Sequence, residues 1–303
     1  MDTEQYKRAA GLVKKMYIFG IGKDDAFEEA CELFGNAAYI AVGRGKKEEA
    51  IEILNLALTN ARHLSISKKH LSNEFTAKIA EQLLNVYFTM DTNDEIIEQC
   101  QHLYRVYLTE QMCVSHRYSA MGDILQRFGL YNVSMQEYGK AAEFFRDASA
   151  QYINAGANSS NSIALNHLAK CYVNLANYAE AQKIYMTLAA NSLASPLTSS
   201  RAHVYYMNGI LCLLVASNGD SVYGRGVYNM AADSDYKFES SSAGRFINDT
   251  LKLLESDTLD ITRFVDLMTE YDSITKLTPE QVSLLLGVKT LFELSTETII
   301  DLT

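Results

Sequence analysis

Tryptophan is absent from this chain, and proline occurs only twice, at Pro196 and Pro279. With so few prolines, almost nothing interrupts helix formation. No apolar run approaches the roughly 18 consecutive residues needed to span a bilayer as a helix. Cysteine is scarce, and its five copies (Cys31, Cys100, Cys113, Cys171 and Cys212) are scattered and odd in number. No C-x-x-C occurs among them, so neither a disulfide framework nor a paired-thiol motif is indicated, and a reducing cytosol is the simplest compartment. The opening residues, MDTEQYKRAAGLVKK, lack the apolar stretch of a secretory leader. Positive charge is also in deficit, with 27 Lys and Arg against 37 Asp and Glu for a net charge of −10. That balance argues against non-specific binding to nucleic acid or to an anionic lipid surface.

Motifs for catalysis are missing or broken. A phosphate loop needs G-x-x-x-x-G-K-[ST], but in the stretch ending Gly22-Lys23 the first position is Tyr17 and the last Asp24. The six histidines show neither H-E-x-x-H nor another ligand spacing, and the pair Cys113 and His116 is not a zinc site by itself. Neither cofactor nor metal is expected. One acidic cluster remains, Asp24, Asp25 and Glu28. Carboxylates one turn apart on a helix can share a magnesium ion, which makes a metal-dependent enzyme one reading. No second acidic cluster at matching spacing accompanies it, and acids gathered at a helix N-terminus give the plainer account.

What the chain does have is a repeat. Ala141 with Phe145 and Ala181 with Tyr185 stand 40 residues apart, each preceded by Tyr138 or Tyr178 at the same distance. Cys100 with Tyr104 lies one unit earlier, and Ala50 with Leu54 lies further back. A small residue followed four positions later by a large one, at a period near 40, marks stacked helical hairpins. The expected fold is all-α: a right-handed superhelix of antiparallel hairpins, like a TPR solenoid, over 1–217, capped by a C-terminal helical bundle and tail over 218–303. Helices are expected at 3–15, 25–42, 46–61, 68–89, 94–109, 112–128, 135–153, 160–175, 177–190, 198–217, 245–255, 260–271 and 279–293. The stretches SNGDSVYGRGVYN and ESSSAG read as Gly- and Ser-rich breaks, and NAGANSSN (154–161) as a turn. Such arrays bind other proteins along an extended face, so a scaffold or adaptor is expected, not an enzyme.

Two local features stand out. Met16, Tyr17, Ile18, Phe19 and Ile21 form an apolar stretch at 16–22 that reads as a loop, with Lys14, Lys15 and Lys23 around it. It reads either as a hydrophobic staple folded onto the first hairpin or as a tip that dips into a bilayer interface. The last residues, ETIIDLT, place Leu302 beside Asp301, either a docking tail or a frayed end.

In order along nearly the whole chain, these features resemble the soluble NSF-attachment proteins, the alpha-SNAP/Sec17 group. The apolar loop before EEACELF (28–34), YAEAQKIY with SPL (178–197), RAHVYYMNGILC (201–212), EYDSITKL (270–277) and the acid-plus-leucine end carry the resemblance. It implies an adaptor without catalytic activity that coats an assembled SNARE four-helix bundle and recruits the NSF hexamer, an AAA ATPase, to pull it apart in vesicle transport and membrane fusion. It further implies a cytoplasmic protein with transient contact to membranes, a monomer when free, with several copies around one SNARE complex. By the same resemblance, Met16, Tyr17, Ile18, Phe19 and Ile21 touch membrane. Glu255, Asp257, Asp260, Asp301 and Leu302 face the ATPase. Arg117, Lys140, His167 and Arg201 fall on or near the SNARE-binding positions. The family's inner face is basic, whereas here Ser119, Ile163, His167 and Ser199 occupy several of its positions, and only Lys140 aligns with a lysine. A generic helical-repeat scaffold for another complex is the competing expectation.

Overall fold

The computed structural model describes residues 4–19, 23–62, 69–87, 89–90, 102, 118–256 and 260–300. Among them every regular element is an α-helix. The helices are α1 (Glu4–Phe19), α2 (Lys23–Gly43), α3 (Lys47–Arg62), α4 (Lys69–Tyr87), α5 (Tyr118–Ser134), α6 (Tyr138–Asn154) and α7 (Asn158–Asn174). They continue with α8 (Tyr178–Leu193), α9 (Ser199–Ala216), α10 (Ser221–Ser234), α11 (Ser242–Glu255), α12 (Ile261–Ile274) and α13 (Pro279–Ile300). The chain divides into two compact units, 1–127 and 128–303, with the division inside α5.

In the first unit, α2 packs against α1 and α3, and α3 against α4. Phe27, Ala30, Cys31, Phe34, Ala38 and Ala41 of α2 are all buried, as their helical spacing requires. Tyr6 of α1 meets Phe34 at 5.7 Å between ring centres.

In the second unit the period of 40 has a simple origin. Helices of 17 residues in α5, α6 and α7 alternate with three-residue turns at 135–137, 155–157 and 175–177. Each turn places its middle residue in the left-handed region, with φ of 60° at Gln136, 67° at Gly156 and 56° at Ala176. The third residue then donates back into the helix: Glu137 N–H to Asn132 O (2.9 Å), Ala157 N–H to Tyr152 O (2.9 Å) and Asn177 N–H to Tyr172 O (2.8 Å). This is the Schellman closure, and it satisfies carbonyls that a helix end leaves free. The small-large motif supplies the packing. Ala141, Ala181, Phe145 and Tyr185 are buried, and Phe145 lies so close to Gly129 that a Cβ there would sit 2.6 Å from its ring.

From α7 to α13 one apolar core is continuous. It runs through Tyr185, Tyr206, Leu211, Phe238, Phe246, Phe264, Leu284 and Phe292. The helix α9 is shared, packing on α8 and also on α10, α11 and α13. Phe238, in the connection between α10 and α11, is fully buried and touches the rings of Tyr206 and Tyr228.

Three expectations are corrected. Residues 16–19 form the last turn of α1 and not a loop, because neither glycine nor proline interrupts the chain from Leu12 to Phe19. The Gly-rich stretch after Ser217 contains the helix α10, which Asp220 caps by accepting the Tyr223 N–H at 2.9 Å. Its Gly224 is a packing device, since a Cβ there would lie 2.9 Å from Leu251 and 3.0 Å from Leu214. Finally, the turn at 154–161 closes by Ala157, so Asn158, Ser159, Ser160 and Asn161 belong to α7. Apart from residue 102, the helix expected at 94–109 lies outside the described residues, as does the start of that expected at 112–128.

Candidate functional site

An open groove of about 760 Å³ lies in the second unit. The first half of α7, the C-terminal end of α8 and the start of α9 line it. Four amides face it, from Asn158, Asn161, Asn166 and Asn191. Hydroxyls come from Ser159, Ser162, Ser195, Thr198 and Tyr205. Ile163 and Leu197 add apolar edges, 47% and 93% exposed, and Arg201 is the groove's one charged residue.

Part of this polar lining is already engaged. Ser149 Oγ donates to Asn161 Oδ1 at 2.6 Å, Thr198 Oγ1 donates to the Ser192 carbonyl at 2.8 Å, and Ser162 Oγ to that of Asn158 at 3.1 Å. Among the described residues, the side chains of Asn158, Asn166 and Asn191 find no protein partner, and no carboxylate pairs with Arg201. Sequence reasoning found Arg201 and Ile163 but took the Asn- and Ser-rich run at 154–161 for a turn. The spacing of Asn158, Ser162 and Asn166, four apart, was the available sign of one helical face.

The other residues expected to bind SNAREs are placed differently. Lys140 is exposed on α6 and pairs with Glu137 at 2.5 Å, which raises its pKa. His167 lies flat against Phe145, ring centres 5.0 Å apart and planes 15° from parallel. Burial and then the Lys170 charge lower its pKa, which disfavours the cation. Neither residue lines the groove. Arg117 lies outside the described residues.

Of the expected ATPase contacts, two have structural tasks. Glu255 accepts both the Nε and Nη2 of Arg225 at 2.9 Å, while Arg225 Nη1 donates to Asn248 at 2.7 Å. This fork rivets α10 to α11. Asp260 caps α12, accepting the Arg263 N–H at 2.9 Å. Asp257, Asp301 and Leu302 lie outside the described residues, as does Ile21. The side chains of Met16, Tyr17, Ile18 and Phe19 are likewise outside the described set.

Asp24, Asp25 and Glu28 fall in the first two turns of α2. No three His, Cys, Asp or Glu side chains converge as metal ligands among the residues described. Burial pushes the thiols of Cys31, Cys171 and Cys212 up to about 12, which keeps them protonated and unreactive. No helix among the described residues is long and apolar enough to cross a membrane.

Antiparallel helical hairpins followed by further packed helices define the class: among the described residues, an all-α protein of TPR-like architecture. The chain belongs to the soluble NSF attachment protein (SNAP) family, whose sequence model matches residues 3–293. Among curated proteins it is similar to the vesicular-fusion protein SEC17 of Coprinopsis cinerea, at 24% identity over 160 residues. That match covers 53% of this chain and spans about half, 54%, of the relative's length. Among solved structures it is similar to BtubC from P. vanneervenii, with a TM-score of 0.43 and 12% identity over 84% of this chain and 92% of that one. A signal-transduction ATPase with a tetratricopeptide repeat sensor from Pyrococcus horikoshii also matches, with a TM-score of 0.32 and 15% identity over 97% of this chain and 47% of that one.

Proposed function

We infer that this chain is a cytoplasmic adaptor that binds an assembled SNARE four-helix bundle and recruits an NSF-type AAA ATPase hexamer to disassemble it. The family match over residues 3–293 carries this reading, because it spans the hairpins and the C-terminal helices together. The work divides along the chain. The hairpins of 1–217 grip the rod laterally, several copies around one bundle. The helices and tail of 218–303 meet the motor. The end of α1 and Ile21 rest on the membrane that carries the rod.

The continuous core from α7 to α13 suits mechanical coupling, since close-packed interiors transmit strain. Two polar links add to it. Lys170 of α7 pairs with Glu280 of α13 at 3.4 Å, and Gln281 Nε2 donates to Asn208 Oδ1 of α9 at 3.0 Å in a buried contact.

The test is assembly of a ternary complex from this chain, a SNARE bundle and the ATPase, held in a non-hydrolysable nucleotide and read by size-exclusion chromatography. Leu302→Ala is expected to leave bundle binding intact and abolish stimulated disassembly. Asp260→Ser keeps a capping oxygen for α12 and removes only the charge, so it separates motor contact from folding. Ile18→Ser with Phe19→Ser is expected to slow disassembly on liposomes but not of soluble bundles. Failure of the three components to co-elute would leave the chain a scaffold for some other complex.

A further inference from the structure

We propose that the groove between α7 and α9 reads its rod by neutral hydrogen bonding: its occupant is a helical face of amides and hydroxyls with one carboxylate placed for Arg201, not a strip of acids. This rests on the adaptor reading above and specifies the chemistry of its grip. The groove has a single cation and, among its lining residues, no lysine and no carboxylate. The whole sequence carries a net charge of −10.

A densely acidic rod would bring several carboxylates against one guanidinium. The groove's amides and hydroxyls can donate to those carboxylates, but only Arg201 balances their charge, and several like charges held together without a cation are unfavourable. Amides on the rod meet no such penalty. The unengaged side chains of Asn158, Asn166 and Asn191 each present two donors and an acceptor, so they pair with Gln, Asn, Ser or Thr in either sense. Arg201, without a carboxylate partner in the described residues, supplies a planar fork that fixes the register of one acid. Leu197 and Ile163, both exposed at the edges, gain apolar contact once the rod is seated.

The consequence is a docking step nearly insensitive to salt. Screening between exposed charges tightens from about 10 Å at 0.1 M to about 3 Å at 1 M, yet neutral hydrogen bonds are untouched by it. The experiment measures equilibrium binding of the full chain to a soluble, assembled SNARE bundle from the source organism at 50 and 500 mM NaCl. Circular dichroism melts confirm that each variant is folded.

Affinity is expected to change less than about threefold between the two salts, against tenfold or more for a face built on several ion pairs. Arg201→Ala is expected to weaken binding about tenfold and to remove the residual salt dependence. Ile163→Lys, which adds a second cation at the groove's edge, is expected to weaken binding or leave it unchanged. Asn166→Asp with Asn191→Asp should weaken it about tenfold. A tenfold loss with salt together with tighter binding by Ile163→Lys would overturn the proposal while the adaptor reading stands. Absence of binding by the wild-type chain at both salts would overturn both.

Discussion

The helices α6 to α8 and the helices α10 to α13 belong to one compact unit, yet they are specified in opposite ways. None of α6, α7 or α8 begins with a side-chain cap; Glu137, Ala157 and Asn177 precede them without one. Their boundaries are set by backbone turns repeated at Gln136, Gly156 and Ala176. By contrast, Asp220, Ser241 and Asp260 cap α10, α11 and α12 through their side chains. At α13, Thr278 and Gln281 exchange bonds in a capping box, Thr278 N–H to Gln281 Oε1 at 2.9 Å, with Pro279 in the first helical position. A repeat can reuse one turn, whereas a bundle with irregular connections needs separate punctuation at each helix.

Substituting glycine should expose this difference most sharply. At Gly244 in α11 a Cβ would lie 1.9 Å from the Phe238 carbonyl oxygen, which has no room to move because Phe238 is fully buried. Gly244→Ala is expected to lose about 3 kcal/mol or more in denaturant melts. At Gly139 in α6 nothing lies within 4 Å, so Gly139→Ala should gain about 0.5 kcal/mol from helix propensity. Equal effects would erase the distinction.

Next in size is the buried amide pair. Asn208→Ala leaves the Gln281 amide, 5% exposed, without its partner and should lose about 2 kcal/mol. A loss below about 0.5 kcal/mol would mean that water replaces the bond.

A pH series probes the link from α9 to the connection after α10. His203 Nε2 lies 2.7 Å from Asp235 Oδ2. Burial alone would raise the Asp235 pKa, but the Lys237 backbone N–H, the His203 contact and the Lys237 charge outweigh it and lower the value. The carboxylate's contribution to stability is therefore complete above the unfolded value of about 3.9 and is lost as pH falls through the lower folded value. The stability gap between wild type and Asp235→Asn should shrink as pH falls below about 4. A gap that widens there would reverse the sign.

A smaller change than the loss of the amide pair is expected at the repeat turn. Ala176 holds φ of 56°, a conformation that an L-residue adopts at a cost of roughly 1–2 kcal/mol. Ala176→Gly should gain about 1 kcal/mol, less the extra freedom of glycine in the unfolded chain. Thermal melts would detect it, and a loss would show that the methyl group packs.

The same contrast explains what was legible in the sequence. Hairpins α6 to α9 followed from the spacing of Ala141, Phe145, Ala181 and Tyr185, because a helix face and a fixed turn both leave a period. The α10 helix was missed because Gly224 reads as a breaker locally but serves close packing against Leu214 and Leu251, which are distant in sequence. Its Asp220 cap and the spacing of Val227, Tyr228 and Ala231 were readable signs. The groove was missed for a related reason: amides and hydroxyls mark turns and helix faces alike, and only the three-residue closure at 155–157 decides between them. The task of Glu255 was likewise hidden, since nothing local pairs it with Arg225, 30 residues away.

The central claim is that this chain couples a motor to a SNARE rod. Its most direct test is ATP-dependent disassembly of a fluorescently labelled SNARE bundle by the ATPase, with and without this chain. The account predicts release of separated SNAREs only when the chain, ATPase and ATP are all present. An equal rate without the chain, or an intact bundle with all three, would contradict it.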